Sequence, residues 1–345
     1  MSGYWILETH GDPLGRLQQF VAAIWNEAAL DAMLVPLGNG NGAETAPALI
    51  KDRAQLQHVN PFRPLMTANA ARDVPALLAT DPSRRLGALL RPCEARALLE
   101  MGKHNGFRPE KLLTVGVDCL ATFSPEDYAW RMQRKREAGS RLTAEALQFA
   151  RQGGIVPYRY RSACQICDSP AATGADVNIH VLGLAARQHL LVSAHDEATV
   201  RRLHLDAHTD GRAPSALVQQ HQRVVDKMVA RHDHARERLC ASLEGLLPHS
   251  ATELVARFDA CAGCERCMEV CPICAVDHPM RDESGQFRED DLCRWLISCA
   301  GCGMCEQACP QGQPLCAIFG YIREQLLAEA GHAREPALDA ELHVF

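Results

Sequence analysis

The chain lacks a basic N-terminal region followed by an apolar run, and no unbroken apolar stretch in its 345 residues is long enough to span a membrane. It also lacks a strong charge of either sign. The 36 basic and 42 acidic residues give a net −6, with basic clusters mostly interleaved with acids, so no polyelectrolyte field points to nucleic acid. There is no HExxH sequence, no recognisable nucleophile–base motif and no low-complexity segment. These absences give the expectation of a cytoplasmic protein with no membrane span and no nucleic-acid partner. With 47% hydrophobic and 23% charged residues, the composition suits a folded chain of about two domains.

What is present is cysteine. Sixteen thiols in a chain of this size without a secretory signal favour metal ligation over disulfides. Their distribution follows the organisation of the sequence. Residues 1–205 mix short apolar runs, such as Ala32–Pro36, Leu86–Leu90 and Leu112–Val117, with helical patterns such as Gly15–Leu30, which predicts an α/β domain. Residues 206–250 hold one long charged helical pattern between Pro214 and Pro248, with Leu217, Val224, Val225, Met228 and Val229 as its apolar positions, and it is expected to join two domains across the surface. Cysteine density rises over residues 251–327, and residues 328–345 read as a peripheral tail.

The cysteine-rich segment contains one motif twice. Cys261, Cys264, Cys267 and Cys271 precede Pro272 at the same spacing as Cys299, Cys302, Cys305 and Cys309 precede Pro310. This is the run of two-cluster ferredoxins, in which three cysteines wrap one [4Fe–4S] cluster and the fourth reaches its neighbour. The expected ligand sets are therefore crossed: Cys261, Cys264, Cys267 and Cys309 for one cluster, and Cys299, Cys302, Cys305 and Cys271 for the other. A pair of zinc sites would not need this doubled register with both prolines. The spacer, with Phe287–Leu296 patterned as an amphipathic helix, argues against a βαβ ferredoxin. The stretch resembles the helical ferredoxin domains of succinate dehydrogenase iron–sulfur subunits and heterodisulfide reductase, notably over Cys299–Pro310. Cys240, Cys274, Cys293 and Cys316 fall outside the register and read as small buried hydrophobes.

Four cysteines remain. Cys93 and Cys119 each follow an apolar strand-like run, and Cys164 and Cys167 form a CxxC. Parallel strands bring such ends to one sheet edge, and a thiol at a helix start ionises more readily. Spacing alone leaves zinc, an iron–sulfur cluster and a redox pair open.

The segments Arg91–Leu98, Val115–Cys119 and Cys164–Asp168, the last leading into Ala175–Gly183, resemble the coenzyme F420 hydrogenase/dehydrogenase beta-subunit family. The resemblance covers about residues 30–185. It implies FAD beside a third [4Fe–4S] cluster held by Cys93, Cys119, Cys164 and Cys167. The chain departs from many family members in carrying its ferredoxin motifs after, not before, the flavin domain.

A flavin converts two-electron chemistry into the single-electron steps of clusters. Its residues are poorly marked. Gly38–Gly42 lacks the GxGxxG spacing and reads as a loop, while Arg63, Asn69 and Arg91 are flavin candidates because an arginine can bind pyrophosphate bidentately. His232 and His234, two apart on the charged helix, read as solvated.

The expectation is an α/β flavin and iron–sulfur domain followed by a mainly helical dicluster ferredoxin domain: an oxidoreductase subunit passing electrons between a flavin and a formate dehydrogenase or hydrogenase type of partner. The soluble carrier would be F420, NAD(P)H or ferredoxin. The alternatives are a flavin-free electron-transfer adaptor and a stand-alone flavin reductase, similar to the chlorophyll-pathway reductases of the same family.

Overall fold

The computed structural model describes residues 3–38, 45–104, 112–135, 139–153, 160–261 and 263–329. Residues 39–42 of the glycine-rich run and all but two residues of the expected tail lie outside them. Seven strands, β1 (Tyr4–Glu8), β2 (Ala32–Gly38), β3 (Thr45–Ile50), β4 (Leu86–Leu90), β5 (Leu112–Val117), β6 (Val177–His180) and β7 (His189–Ala194), form one mixed sheet in the order β1-β7-β6-β5-β4-β2-β3. The four central strands β2, β4, β5 and β6 are parallel, and the outer pairs are antiparallel. Burial on both faces explains why β4 and β5 read as unbroken apolar runs. Pro36 and Pro47 face each other in the β2–β3 pair, where β2 no longer pairs with β4 and β3 is the sheet edge. Their missing N–H groups therefore cost no central ladder bond.

Alternate residues of the strands feed two cores. Met33, Val35, Leu89, Leu113, Val115 and Val117 pack with Leu17, Phe20 and Ile24 of the helix Pro13–Glu27. Ala32, Leu34, Leu86, Ala88 and Leu90 point the other way, and there they meet Leu98 and Met101 together with Met268, Leu292, Trp295, Phe319 and Ile322 from the C-terminal segment. The period of two along a strand has thus sorted the side chains onto opposite faces. The cysteine-rich lobe is the covering layer of the second face. Leu292, Leu296 and Ile322 are fully buried in it, and each such side chain contributes about 2 kcal/mol.

That lobe is helical, as its spacer pattern predicts. The helix Glu289–Ile297 starts with Glu289, Asp290 and Asp291, which favour the positive end of its dipole, and Trp295 packs edge-on to Phe319 at 5.1 Å. The long helix expected between the domains is Ser215–Ser242. Its stripe of His221, Val225 and Met228 is buried. Farther along, Arg236 lies within 3.5 Å of both Ile166 O and Glu324, so this helix is fastened to the sheet domain and the C-terminal lobe alike. No helix among the described residues is long and apolar enough to cross a membrane.

Candidate metal centres and cofactor cleft

The parallel register sets the ends of β4 and β5 side by side. Pro92 starts the helix Pro92–Gly102 directly after β4, its fixed φ suiting the first helical position, and Cys93 follows. Glu94, 4% exposed, accepts from Arg91 N at 2.8 Å and Ala70 N at 3.1 Å, which fixes this turn. Cys119 leaves β5 held by Asp118, whose carboxylate accepts from the backbone of Ala172, Val181 and Leu182 at 2.8–3.0 Å and lies 3.3 Å from His180 Nδ1. Burial opposes ionisation of Asp118, but His221 and His180 outweigh it and bring the carboxyl down to about 2. Cys164 lies in the short helix Ser162–Gln165, and Cys167 follows it.

Cys93, Cys119, Cys164 and Cys167 all line one narrow gap of about 30 Å³. Thiolates on a single zinc ion stand about 3.8 Å apart. Among the described residues the only three metal-ligating groups gathered within 4.8 Å of one another are Asp118, His180 and His221. No three of the four thiols come that close to one another, so they are not gathered as they would be on a single ion. The Asp118 group is itself occupied: His180 Nε2 is 2.9 Å from Ser193 Oγ, and His221 Nδ1 is 2.9 Å from Leu182 O. It serves as a buried brace for the β5 and β6 ends.

Two arginines flank the thiols. Arg161 donates to Thr122 Oγ1 at 2.9 Å and Gln307 Oε1 at 3.2 Å, with Cys164 Sγ at 3.7 Å. Arg96 donates to Ser169 O at 2.9 Å and Ala300 O at 3.1 Å, with Cys167 Sγ at 4.0 Å. Burial pushes the Cys93, Cys119 and Cys167 thiols up. At Cys164 burial acts the same way, but Arg161 and Thr122 overcome it, and this thiol falls below its ordinary range.

The paired motifs fold into two similar loops. Gly263 and Glu265 have φ of +65° and +50°, and Gly301 and Gly303 have +63° and +73°, so each loop turns through the left-handed region on both sides of its middle cysteine. Cys261, Cys264, Cys267 and Cys309 line one gap of about 40 Å³. Of the sixteen cysteines only Cys261 and Cys264 are exposed. In the other set, Cys299 and Cys302 lie in each other's field and in that of Cys271, and burial raises them to about 11 and about 12. A hydrogen bond with the free thiol of Cys316, together with burial, raises Cys305. Cys274 bonds to Cys271, and with help from Trp295 Nε1, 3.3 Å from the Cys271 sulfur, brings that thiol down to about 6. Cys274 and Cys316 thus touch the motif cysteines directly.

Cys302 belongs to both groups: it also lines the gap of the first-domain thiols. The Cys302 loop meets the Cys164 segment here. A Cβ on Gly303 would stand 2.4 Å from Ala163 Cβ, so only glycine permits this approach between the Cys302 loop and the helix carrying Cys164.

The flavin candidates do not share one cavity. Asn69 is 1% exposed, and its amide nitrogen is buried without an oxygen acceptor and lies against Cys302. Arg91 donates to Arg63 O at 3.1 Å and Leu65 O at 2.9 Å, and lines the thiol gap. Arg63 donates to Thr45 Oγ1 at 2.7 Å and lines a separate cleft. That cleft, of about 1030 Å³, is far larger than the thiol gap, and Arg141, Arg151 and Arg187 join Arg63 in its wall against one acid, Glu145.

His232 differs from expectation. It is half-buried, its Nδ1 lies 2.6 Å from Cys167 O, and it lines the thiol gap, whereas His234 is exposed as expected. His221, Val225, Met228 and His232 form one helical stripe, a signal that comparing His232 with His234 alone does not reveal. Arg161, three residues before the CxxC, carries no distinguishing pattern.

The fold is that of an α/β protein with a seven-stranded mixed sheet and a helical, cysteine-rich covering lobe. Neither a family model nor a curated protein sequence matches the chain. Among solved structures it is similar to a chain of the F420-reducing [NiFe] hydrogenase complex from Methanosarcina barkeri, with 11% identity and a TM-score of 0.51 over 69% of this chain and 91% of that one. At this identity the likeness is one of fold.

Proposed function

We propose that the chain is an iron–sulfur flavoprotein subunit for electron transfer, with three cubane sites in a row. Cys93, Cys119, Cys164 and Cys167 hold the first, Cys271, Cys299, Cys302 and Cys305 the second, and Cys261, Cys264, Cys267 and Cys309 the third. Clusters bound there supply one-electron steps, and a flavin supplies the exchange with a two-electron carrier. The observation that carries this reading is Cys302 in the wall of the first-domain gap. It makes the first two thiol sets adjacent, as an uninterrupted path for electrons requires. The residues present fit anionic clusters: thiols that are partly buried apart from Cys261 and Cys264, two guanidinium groups at the first-domain sulfurs, and an Asn69 amide turned to Cys302.

FAD is assigned to the arginine-lined cleft of Arg63. An anionic dinucleotide suits four arginines facing one glutamate. Arg91 would separate this cleft from the thiol gap, because it lines the gap and bonds the Arg63 backbone. The likeness to a chain of an F420-reducing hydrogenase complex favours a redox partner of the hydrogenase type with F420 as carrier, and a formate dehydrogenase type of partner, with NAD(P)H or ferredoxin as carrier, is the other form of the same reading. Protein purified without oxygen should contain about twelve irons, four per cluster, and one FAD. A flavin-free adaptor is the second reading, favoured by the protein partners that already engage Arg63 and Arg91. Twelve irons without flavin would select it, and eight irons without flavin would overturn the first reading altogether.

A further inference from the structure

Arg96 and Arg161 stand on the two members of the CxxC, one at Cys167 and the other at Cys164. Among the described residues neither has a carboxylate within ion-pair distance. Arg96 is spent on the carbonyls of Ser169 and Ala300, and Arg161 on Thr122, Gln307 and the sulfurs of Met66 and Met304. A guanidinium withdrawn from water needs a compensating charge. Glu94 is committed to two backbone N–H groups, Asp168 acts on Arg96 alongside the Cys167 and Cys93 thiols, and Arg91 adds a third positive charge.

We propose, resting on the reading of three clusters, that Arg96 and Arg161 raise the reduction potential of the centre held by Cys93, Cys119, Cys164 and Cys167. A cubane on four thiolates carries two negative charges when oxidised and three after accepting one electron. The added charge enters a site where two fixed cations await it in a low dielectric, so reduction is favoured. Among the described residues no arginine bonds the sulfurs of Cys261 or Cys264, which are exposed to water, and Arg281 in the wall of their gap is paired with Glu265 at 2.8 Å. Both arginines also reach the C-terminal lobe, at Ala300 and Gln307. Their charge therefore acts at the junction with Cys302, and its effect should fade toward Cys261.

The test is a redox titration of the full chain with dithionite as electron donor, followed by electron paramagnetic resonance, on Arg161→Gln, Arg96→Gln and the charge-keeping Arg161→Lys. Each glutamine variant should shift the first-domain centre to lower potential by at least a tenfold change in electron partition, about 59 mV for one electron. The centre at Cys261 should not move, and Arg161→Lys should stay nearer the wild type than Arg161→Gln. Unshifted potentials in both glutamine variants, with about twelve irons retained, would overturn the tuning role and leave the three-cluster reading intact. A wild-type chain with only about eight irons would overturn that reading itself. If Arg161→Gln does not fold, Arg96→Gln and Arg161→Lys decide the matter.

Discussion

The first-domain thiols and the set around Cys261 offer the same four donors in opposite ways. At Cys261 three donors come from one seven-residue loop, two of them exposed, and the fourth arrives from the sister loop. In the first domain the donors come from the ends of β4 and β5 and from the Cys164 segment, so the sheet itself assembles the gap. The first arrangement is local and accessible. The second is buried, braced by Asp118 and flanked by arginines, which makes it tunable by the protein but dependent on the whole fold.

The largest expected effect comes from crossing the loops. Cys309→Ser should remove the centre at Cys261, Cys264 and Cys267, about four irons, and spare the centre of Cys302 in its own loop. Iron loss confined to the Cys302 signal would contradict the crossed assignment. Next, Asp118→Asn removes a buried charge that three backbone N–H groups and two histidines surround, at a cost of about 3 kcal/mol. Denaturation by urea should show this loss, and metal loading should fail in the first domain while the Cys261 centre persists. Equal loss at both would remove the distinction between fold-built and loop-built sites. Gly303→Val should cost about 2 kcal/mol through its clash with Ala163 and its left-handed φ. Electron exchange between the first-domain centre and the Cys302 centre, followed by rapid-freeze resonance, should slow. The smallest effect is Trp295→Phe, which removes one hydrogen bond to Cys271 Sγ. Its worth of about 1 kcal/mol should appear as a slightly lower potential of the Cys302 centre alone.

How far the sequence foretold these sites follows the same division. The doubled motif carries its geometry in its spacing, and the helix at Phe287–Leu296 was legible from its period. The ends of β4 and β5 were legible as apolar runs followed by Cys93 and Cys119. What brought Cys164 and Cys167 to them was not, because no spacing encodes a contact between separate segments, and only the family resemblance grouped the four. Arg161 and Asp118 owe their roles to tertiary neighbours. The lobe's contact with the sheet was equally hidden: Leu34 and Leu90 alternate toward a face whose covering lies more than 150 residues onward at Met268 and Trp295.

The most direct test of the account is the iron content of Cys164→Ser, purified anaerobically beside the wild type. Iron should fall from about twelve atoms to about eight, with the resonance signals of the Cys302 and Cys261 centres retained. Iron unchanged from the wild type would contradict a metal centre at the first-domain thiols.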